Sequence, residues 1–302
     1  MMNPKWAHDP YRIYVPNSLS NTVTEINPHT YKIIRTFGVG GLPNHITPSY
    51  NGSVLWVNNT DGYSLTPINP KTGKPGHPIP VADPYNLYFT PDGKNAMVMA
   101  EALAQIDFRN PQTMKLRYAM HVPCAGVNHM DFTADGHYAV ASCEFSAKLL
   151  YINIAARKVV KTLTLGKSMS APVMAPGPGY SMPQDVRLSP NGKIFYVADM
   201  AANGIWLINA HHFKVIRFMH TGMGTHGFMV SRNAKYLYIS NRGEGSISVL
   251  DFATGKLIHK WRIPGGGSPD MGGVSPNGKV MWWSGRYNNV VYAISTINGH
   301  LL

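Results

Sequence analysis

At 302 residues with a formal net charge of +12, the chain is long enough for one or two domains and positive enough to invite an acidic partner. Its 27 lysines and arginines are spread thinly with no run of four or more, so a scattered positive surface is expected and no nucleic-acid site. No stretch of 18 apolar residues exists to span a membrane, and charged residues make up only 14% of the chain, as is common among exported proteins.

The first strand in chain order is Arg12-Ile13-Tyr14-Val15. A turn motif then returns six times: Tyr50-Asn51-Gly52, Pro91-Asp92-Gly93, Ala134-Asp135-Gly136, Pro190-Asn191-Gly192, Arg232-Asn233-Ala234 and Pro276-Asn277-Gly278. The last residues of these turns are separated by 41, 43, 56, 42 and 44 residues. Asn-Gly and Asp-Gly supply the positive φ angles of tight hairpins. The flanking runs, among them Val54-Leu55-Trp56-Val57, Ile194-Phe195-Tyr196-Val197 and Val280-Met281-Trp282-Trp283, are β-formers. In most units a third strand follows that ends in an Ile-Asn, Ile-Asp or Leu-Asp step, such as Ile68-Asn69, Ile106-Asp107 and Leu250-Asp251. A last strand closes the unit, clearest at Leu257-Ile258-His259-Lys260-Trp261. Four short antiparallel strands every 40 to 45 residues describe a propeller blade, so the fold expected is an all-β, seven-bladed β-propeller of four-stranded blades, one domain over 1–302.

The 56-residue spacing holds an insertion at 168–182, rich in Pro and Gly from Ala171 to Tyr180. Six strands precede turns, whereas seven copies of the following strand exist. A seven-bladed ring therefore needs one more inner strand, supplied after Leu302 or by Trp6-Ala7-His8-Asp9. Cys124 and Cys143 sit at neighbouring ends of one hairpin, which leaves three readings: a disulfide, two buried thiols or a shared metal. The start of the chain lacks the basic and apolar blocks of a secretory signal. An extracellular or periplasmic protein, with its signal absent from this sequence, is expected.

Tyr14-Val15-Pro16-Asn17-Ser18 before Asn21-Thr22-Val23, and Tyr238-Ile239-Ser240-Asn241-Arg242 before Ser246-Ile247-Ser248-Val249, resemble the Tyr-Val-Thr-Asn (YVTN) repeat family of seven-bladed propellers. Pro16 and Ser240 stand where the family name has Thr. The resemblance spans essentially the whole chain and implies the fold. It leaves function open, since such propellers include surface-layer proteins, lactonases, haem-binding domains and metal-handling proteins.

Propellers bind ligands where inner strands begin. Seven residues before each turn's last residue stand His45, Asn86, His129, Asp185, Gly227 and Met271; eight before stand Asn44, Tyr85, Asn128, Gln184, His226 and Asp270. Asn44, Asn86, Asn128, Gln184, Asp185 and Asp270 are thus the candidate ligand-binding residues. His45, His129 and His226 are candidate ligands of a transition metal, copper or zinc, against the alternative that they only hydrate the channel. Met169, Met174, Met182, Met219, Met223 and Met229 add thioethers that suit Cu(I), or that fill apolar gaps.

Eight residues after each turn come Thr60, Glu101, Glu144, Met200, Arg242 and Arg286, with Asn59 and Asp199 one position earlier in their units. Arg242 and Arg286 as a clamp, with His129, His226 or Glu144 as general base, form a candidate catalytic set for a small carboxylated substrate. Ion pairing between blades is the structural alternative. The set resembles those of propeller lactonases and muconate-cyclising enzymes in residue type only. The function expected is an exported module that binds a small molecule or another protein at its mouth; the alternative is a lactonase- or cyclase-like enzyme.

Overall fold

The computed structural model describes residues 9–170 and 178–302. Residues 2–128 and residues 129–302 form two compact units. The first unit holds three antiparallel sheets: β1 (Ile13–Asn17), β2 (Thr22–Ile26) and β3 (Ile33–Gly38); β4 (Pro43–Pro48), β5 (Leu55–Asn59), β6 (Ser64–Ile68) and β7 (Ile79–Pro80); β8 (Pro84–Phe89), β9 (Ala96–Ala100), β10 (Gln105–Arg109) and β11 (Leu116–His121). The second holds four sheets. Their strands are β12 (Val127–Phe132), β13 (Tyr138–Cys143), β14 (Lys148–Asn153) and β15 (Lys158–Thr164), then β16 (Pro183–Leu188), β17 (Ile194–Asp199), β18 (Gly204–Asn209) and β19 (Lys214–His220). They continue with β20 (Thr225–Val230), β21 (Tyr236–Asn241), β22 (Ser246–Asp251) and β23 (Lys256–Arg262), and end with β24 (Pro269–Val274), β25 (Val280–Gly285) and β26 (Val290–Ser295). Seven sheets in sequence order make a seven-bladed β-propeller, as the turn spacing predicts. Among the described residues the one helical element is the single turn Glu144–Ser146.

Local chemistry sets the blades. In the six blades after the first, the hairpin between the first two strands closes on a hydroxyl and an Asx side chain. Ser231 Oγ lies 2.8 Å from Asn233 Oδ1 and accepts from Tyr236 N at 2.9 Å, and Ser189, Thr90 and Ser275 repeat the device. The residue that follows takes positive φ in all six turns, and only in Ala234 (φ 55°) is it not glycine. The next hairpin is locked by asparagine. Asn17, Asn59 and Asn241 each donate from Nδ2 to hydroxyls five and seven residues on, at 2.9–3.1 Å: Thr22 and Thr24, Ser64 and Thr66, Ser246 and Ser248. Asp199 takes this place in its blade, accepting from Ser181 Oγ, Met182 N, Ala202 N and Trp206 Nε1.

Second and third strands are buried, while outer strands such as β23 face water on one side. The core lies between neighbouring sheets of each unit. Met229, Tyr238, Ile247, Met281, Trp283 and Tyr292 fill one such layer, and Trp56, Leu65, Leu87, Ala96 and Val98 another. The first and last sheets have three strands each. Leu301 bridges to Ile294, and Leu302 N donates to Ala293 O, which begins a fourth strand beside β26. Trp6, Ala7 and His8, one proposed source of the extra inner strand, lie outside the described residues, as does Met174 of the insertion. Neither cysteine is free, and both Cys124 and Cys143 are disulfide-bonded, so the thiol and shared-metal readings give way.

A β-carbon in the left-handed region costs about 1–2 kcal/mol. Ala234→Gly is therefore expected to raise the unfolding free energy by about 1 kcal/mol in urea denaturation; an unchanged or lower midpoint would contradict the turn assignment.

Candidate functional site

The strands that begin five of the blades, β4, β8, β16, β20 and β24, carry an irregularity near their start. Pro183 pairs with Asp199 and the next pair is Val186 with Val197, so Gln184 and Asp185 together face one partner residue, Ala198. His226 and Gly227 likewise face Ser240, and Asp270 and Met271 face Ser284. In the other unit one extra residue, Asn44 or Tyr85, sits at the same point. Such a bulge re-aims side chains that a regular strand would alternate. Both registers counted from the turns, seven and eight residues back, consequently reach the strand head.

Within residues 129–302 these bulges gather a charged cluster. Asp270 is buried and lies 2.8 Å from His226 Nδ1 and 3.0 Å from Arg242 Nη1, both to its Oδ1. The His226 contact is close but off the line of the ring N–H. Arg242 Nη2 is 2.7 Å from Met200 Sδ, its Nε has no hydrogen-bond partner, and its guanidinium lies 5.8 Å over the exposed ring of Tyr287. His129, fully buried, stands edge-on to His226 at 6.2 Å between ring centroids. Its Nδ1 is 3.9 Å from Asp185 Oδ1. Asp185 also accepts from Val186 N and, across to the next sheet, from Phe228 N at 3.0 Å, and Arg187 Nη2 is 3.5 Å away.

Charge states follow from these surroundings. Burial, then the nearby His226 ring and Arg187 guanidinium, hold the His129 imidazole well below its ordinary value of 6.5, so His129 is neutral and its approach to Asp185 is not an ion pair. Burial pushes Asp270 upward, but His226, Arg242 and Arg286 outweigh it, and the carboxyl titrates well below the usual range. One ionised carboxylate is thus surrounded by two arginines and a histidine, which leaves surplus positive potential at this end of the sheets. Arg286 itself is exposed.

Hydroxyls brace the bulges. Ser240 Oγ accepts from Gly227 N and donates to Asp270 O at 2.8 Å, and Ser142 Oγ donates to Gln184 O at 2.7 Å, so each ties its own blade to the next. Asp131 performs a similar tie, accepting from Leu188 N at 2.7 Å.

The other expected residues serve in different ways. Gln184, Asn128 and Glu144 are buried, and Glu144 opens the single helical turn. In residues 2–128, Asn44 Nδ2 donates to Thr60 Oγ1, Asn86 Nδ2 donates to Tyr88 OH, and His45 stands edge-on to Tyr85 at 5.4 Å. Among the described residues no group of three or more His, Cys, Asp or Glu is placed to hold a metal ion, so the histidines have no donor set behind a metal reading. Met182 and Met200 pack with Phe145, Met169 and Tyr180 as apolar filling, and Met229 lies in the last core layer. Arg187 and Tyr287 belong to the cluster although neither falls in a counted register; Arg187 stands two residues after Asp185, on the same strand face. An open cleft of about 400 Å³ in the first unit, lined by Gly93, Lys94, Pro111, Gln112 and Arg117, brings no acid–base pair together.

Comparison with known proteins supports the architecture. The model of the YNCE-like beta-propeller family matches residues 7–125. That is less than half of the chain. Two solved structures are similar over nearly all of it. Kuenenia stuttgartiensis hydrazine synthase is 20% identical with a TM-score of 0.77, covering 94% of this chain and 92% of that one. A functionally unknown protein from Desulfotomaculum acetoxidans DSM 771 is 13% identical with a TM-score of 0.78, covering 96% and 94%. Identities this low establish the propeller fold and leave the site to be read from its own residues. No curated protein matches the chain.

Since the unfolded imidazole takes up a proton near pH 6.5 and the buried one does not, the unfolded state binds more protons below that pH. Stability is then lost on acidification through this window, by up to about 1.4 kcal/mol per pH unit. Urea unfolding from about pH 6.5 to pH 5 should show this slope in wild type and a shallower one in His129→Gln; parallel slopes would mean that His129 is not buried neutral.

Proposed function

We propose that the chain is a single exported propeller acting as a binding module, and that the strand-head cluster of residues 129–302 takes a small carboxylated ligand. The observation that carries the reading is the Arg242 guanidinium, held by Asp270 yet with Nε free of partners and Nη2 against only a thioether. A carboxylate arriving beside Tyr287 would pair with the exposed Arg286 guanidinium and neutralise the surplus charge. Disulfide-bonded cysteines fit an oxidising compartment, extracellular or periplasmic. The asparagine clamps at Asn17, Asn59 and Asn241 support reading the repeats as YVTN-type.

A second reading, a lactonase- or cyclase-like enzyme, draws on His226. With Asp270 2.8 Å from Nδ1, the carboxylate would stabilise an imidazolium formed when the ring takes a substrate proton. Turnover of the bound carboxylate, abolished in His226→Gln with binding retained, would select this reading over simple binding.

Calorimetric titration with a panel of mono- and dicarboxylates is the test. Arg286→Ala removes an exposed side chain, so the unfolding midpoint should hold while affinity falls about 10-fold to 100-fold. Equal affinity in wild type and variant, or no carboxylate bound by either, would overturn the assignment.

A further inference from the structure

We propose that the turn end of the four sheets in residues 129–302 is a docking face for an anionic lipid bilayer. Each blade has two turns at this end, one after its first strand and one after its third. Backbone hydrogen bonds join them: Ala210 N to Lys193 O, Phe252 N to Lys235 O and Thr296 N to Lys279 O, at 2.9–3.0 Å. In both turns the residue that follows the positive-φ position is repeatedly lysine. Lys193, Lys235 and Lys279 follow Gly192, Ala234 and Gly278; Lys158, Lys214 and Lys256 follow Arg157, Phe213 and Gly255. All six are exposed. None enters an ion pair among the described residues.

Turns of neighbouring sheets meet, so the lysines share one surface. Arg232 Nε donates to Ser275 O at 3.0 Å, and Arg217 Nη2 donates to Gly255 O at 2.7 Å. Acidic residues are sparse there. Asp131 accepts from Leu188 N, Asp251 accepts from Ala253 N and Thr254 N, and Asp135 faces His137 at 3.5 Å. Glu144, Asp185, Asp199, Glu244 and Asp270 all stand at the opposite ends of the strands. The fold does not require lysine, since the same turn positions hold Ser53 and His137 elsewhere in the chain. In residues 2–128, considered alone, Lys32, Lys74, Lys94 and Lys115 occupy the same turn positions and are exposed.

The chemistry favours a lipid surface over a nucleic acid. Sheets stack about 10 Å apart, so the lysines form a dispersed array rather than a line. They are hydrated point charges, whereas Arg217 and Arg232, the forked donors nearby, are engaged with carbonyls. No exposed Phe, Tyr or Trp stands in these turns to stack a base; the exposed rings there are the imidazoles of His137, His211 and His212. Headgroups that diffuse laterally can match such an array, and each lysine near the surface adds attraction that salt screens.

Co-sedimentation of the whole chain with phosphatidylglycerol-rich vesicles, with phosphatidylcholine vesicles and with duplex DNA and polyglutamate as competitors tests this. Binding should require the anionic lipid, weaken with salt and fall at least about 10-fold in Lys193→Ala/Lys235→Ala/Lys279→Ala. A second variant, Lys158→Ala/Lys214→Ala/Lys256→Ala, should fall similarly, and Lys148→Ala/Lys167→Ala/Lys260→Ala, which loses equal charge at the other end, should bind as wild type. Equal loss in all three variants would show net charge alone at work and overturn the proposal. So would binding to phosphatidylcholine, no binding at all, or lysine-dependent binding of DNA or polyglutamate that outcompetes the vesicles.

Discussion

An irregularity of pairing at the head of the strands that open the blades governs what this propeller presents there. A regular strand would send residues 226 and 227, or 270 and 271, to opposite faces. With both set against a single partner, His226 and Asp270 come within 2.8 Å although they belong to different sheets. The bulge leaves backbone groups off the ladder, and Ser240 and Ser142 take them up. Gly227 has no room for a side chain, because a β-carbon there would lie 2.3 Å from Asp270 O. Backbone irregularity, hydroxyl brace and missing side chain thus form one arrangement, repeated with variations between blades.

Charge is sorted along the strands of residues 129–302. Asp185, Asp199 and Asp270 are buried at the strand heads, where they accept backbone N–H groups or hold cations, and a buried carboxylate needs such company to stay ionised. Lysines occupy the turns at the other end, where no packing demands are made. The same segment can therefore hold a preorganised positive pocket edge at one end and a diffuse positive field at the other. The first depends on short, desolvated contacts that resist salt; the second acts over a Debye length and is screened.

The fold was legible because its determinants are local. A turn such as Pro190-Asn191-Gly192 dictates a hairpin by φ alone, and Asn241 reaches hydroxyls only five and seven residues on. The positions of the site were legible in part for the same reason, since distance from a turn fixes height along a strand. Partners were not. Arg242 finds Asp270 28 residues away in the next sheet, so its role as the holder of a buried carboxylate depends on how the blades stack rather than on its neighbours in sequence. The lysine array was hidden for another reason: a charge that recurs once per turn never forms a run. Counted registers, finally, set the height of a histidine along its strand but not the orientation of its ring, and His129 stands edge-on to His226.

The account rests on Asp270 and Arg242 acting as one unit that shapes the strand-head cluster. A double-mutant cycle of Asp270→Asn and Arg242→Gln, read from urea unfolding at neutral pH, measures that coupling directly. Contact between a buried carboxylate and guanidinium predicts a coupling of at least about 1 kcal/mol. Additive effects, within about 0.3–0.5 kcal/mol, would contradict it and with it the claim that this carboxylate organises the cluster.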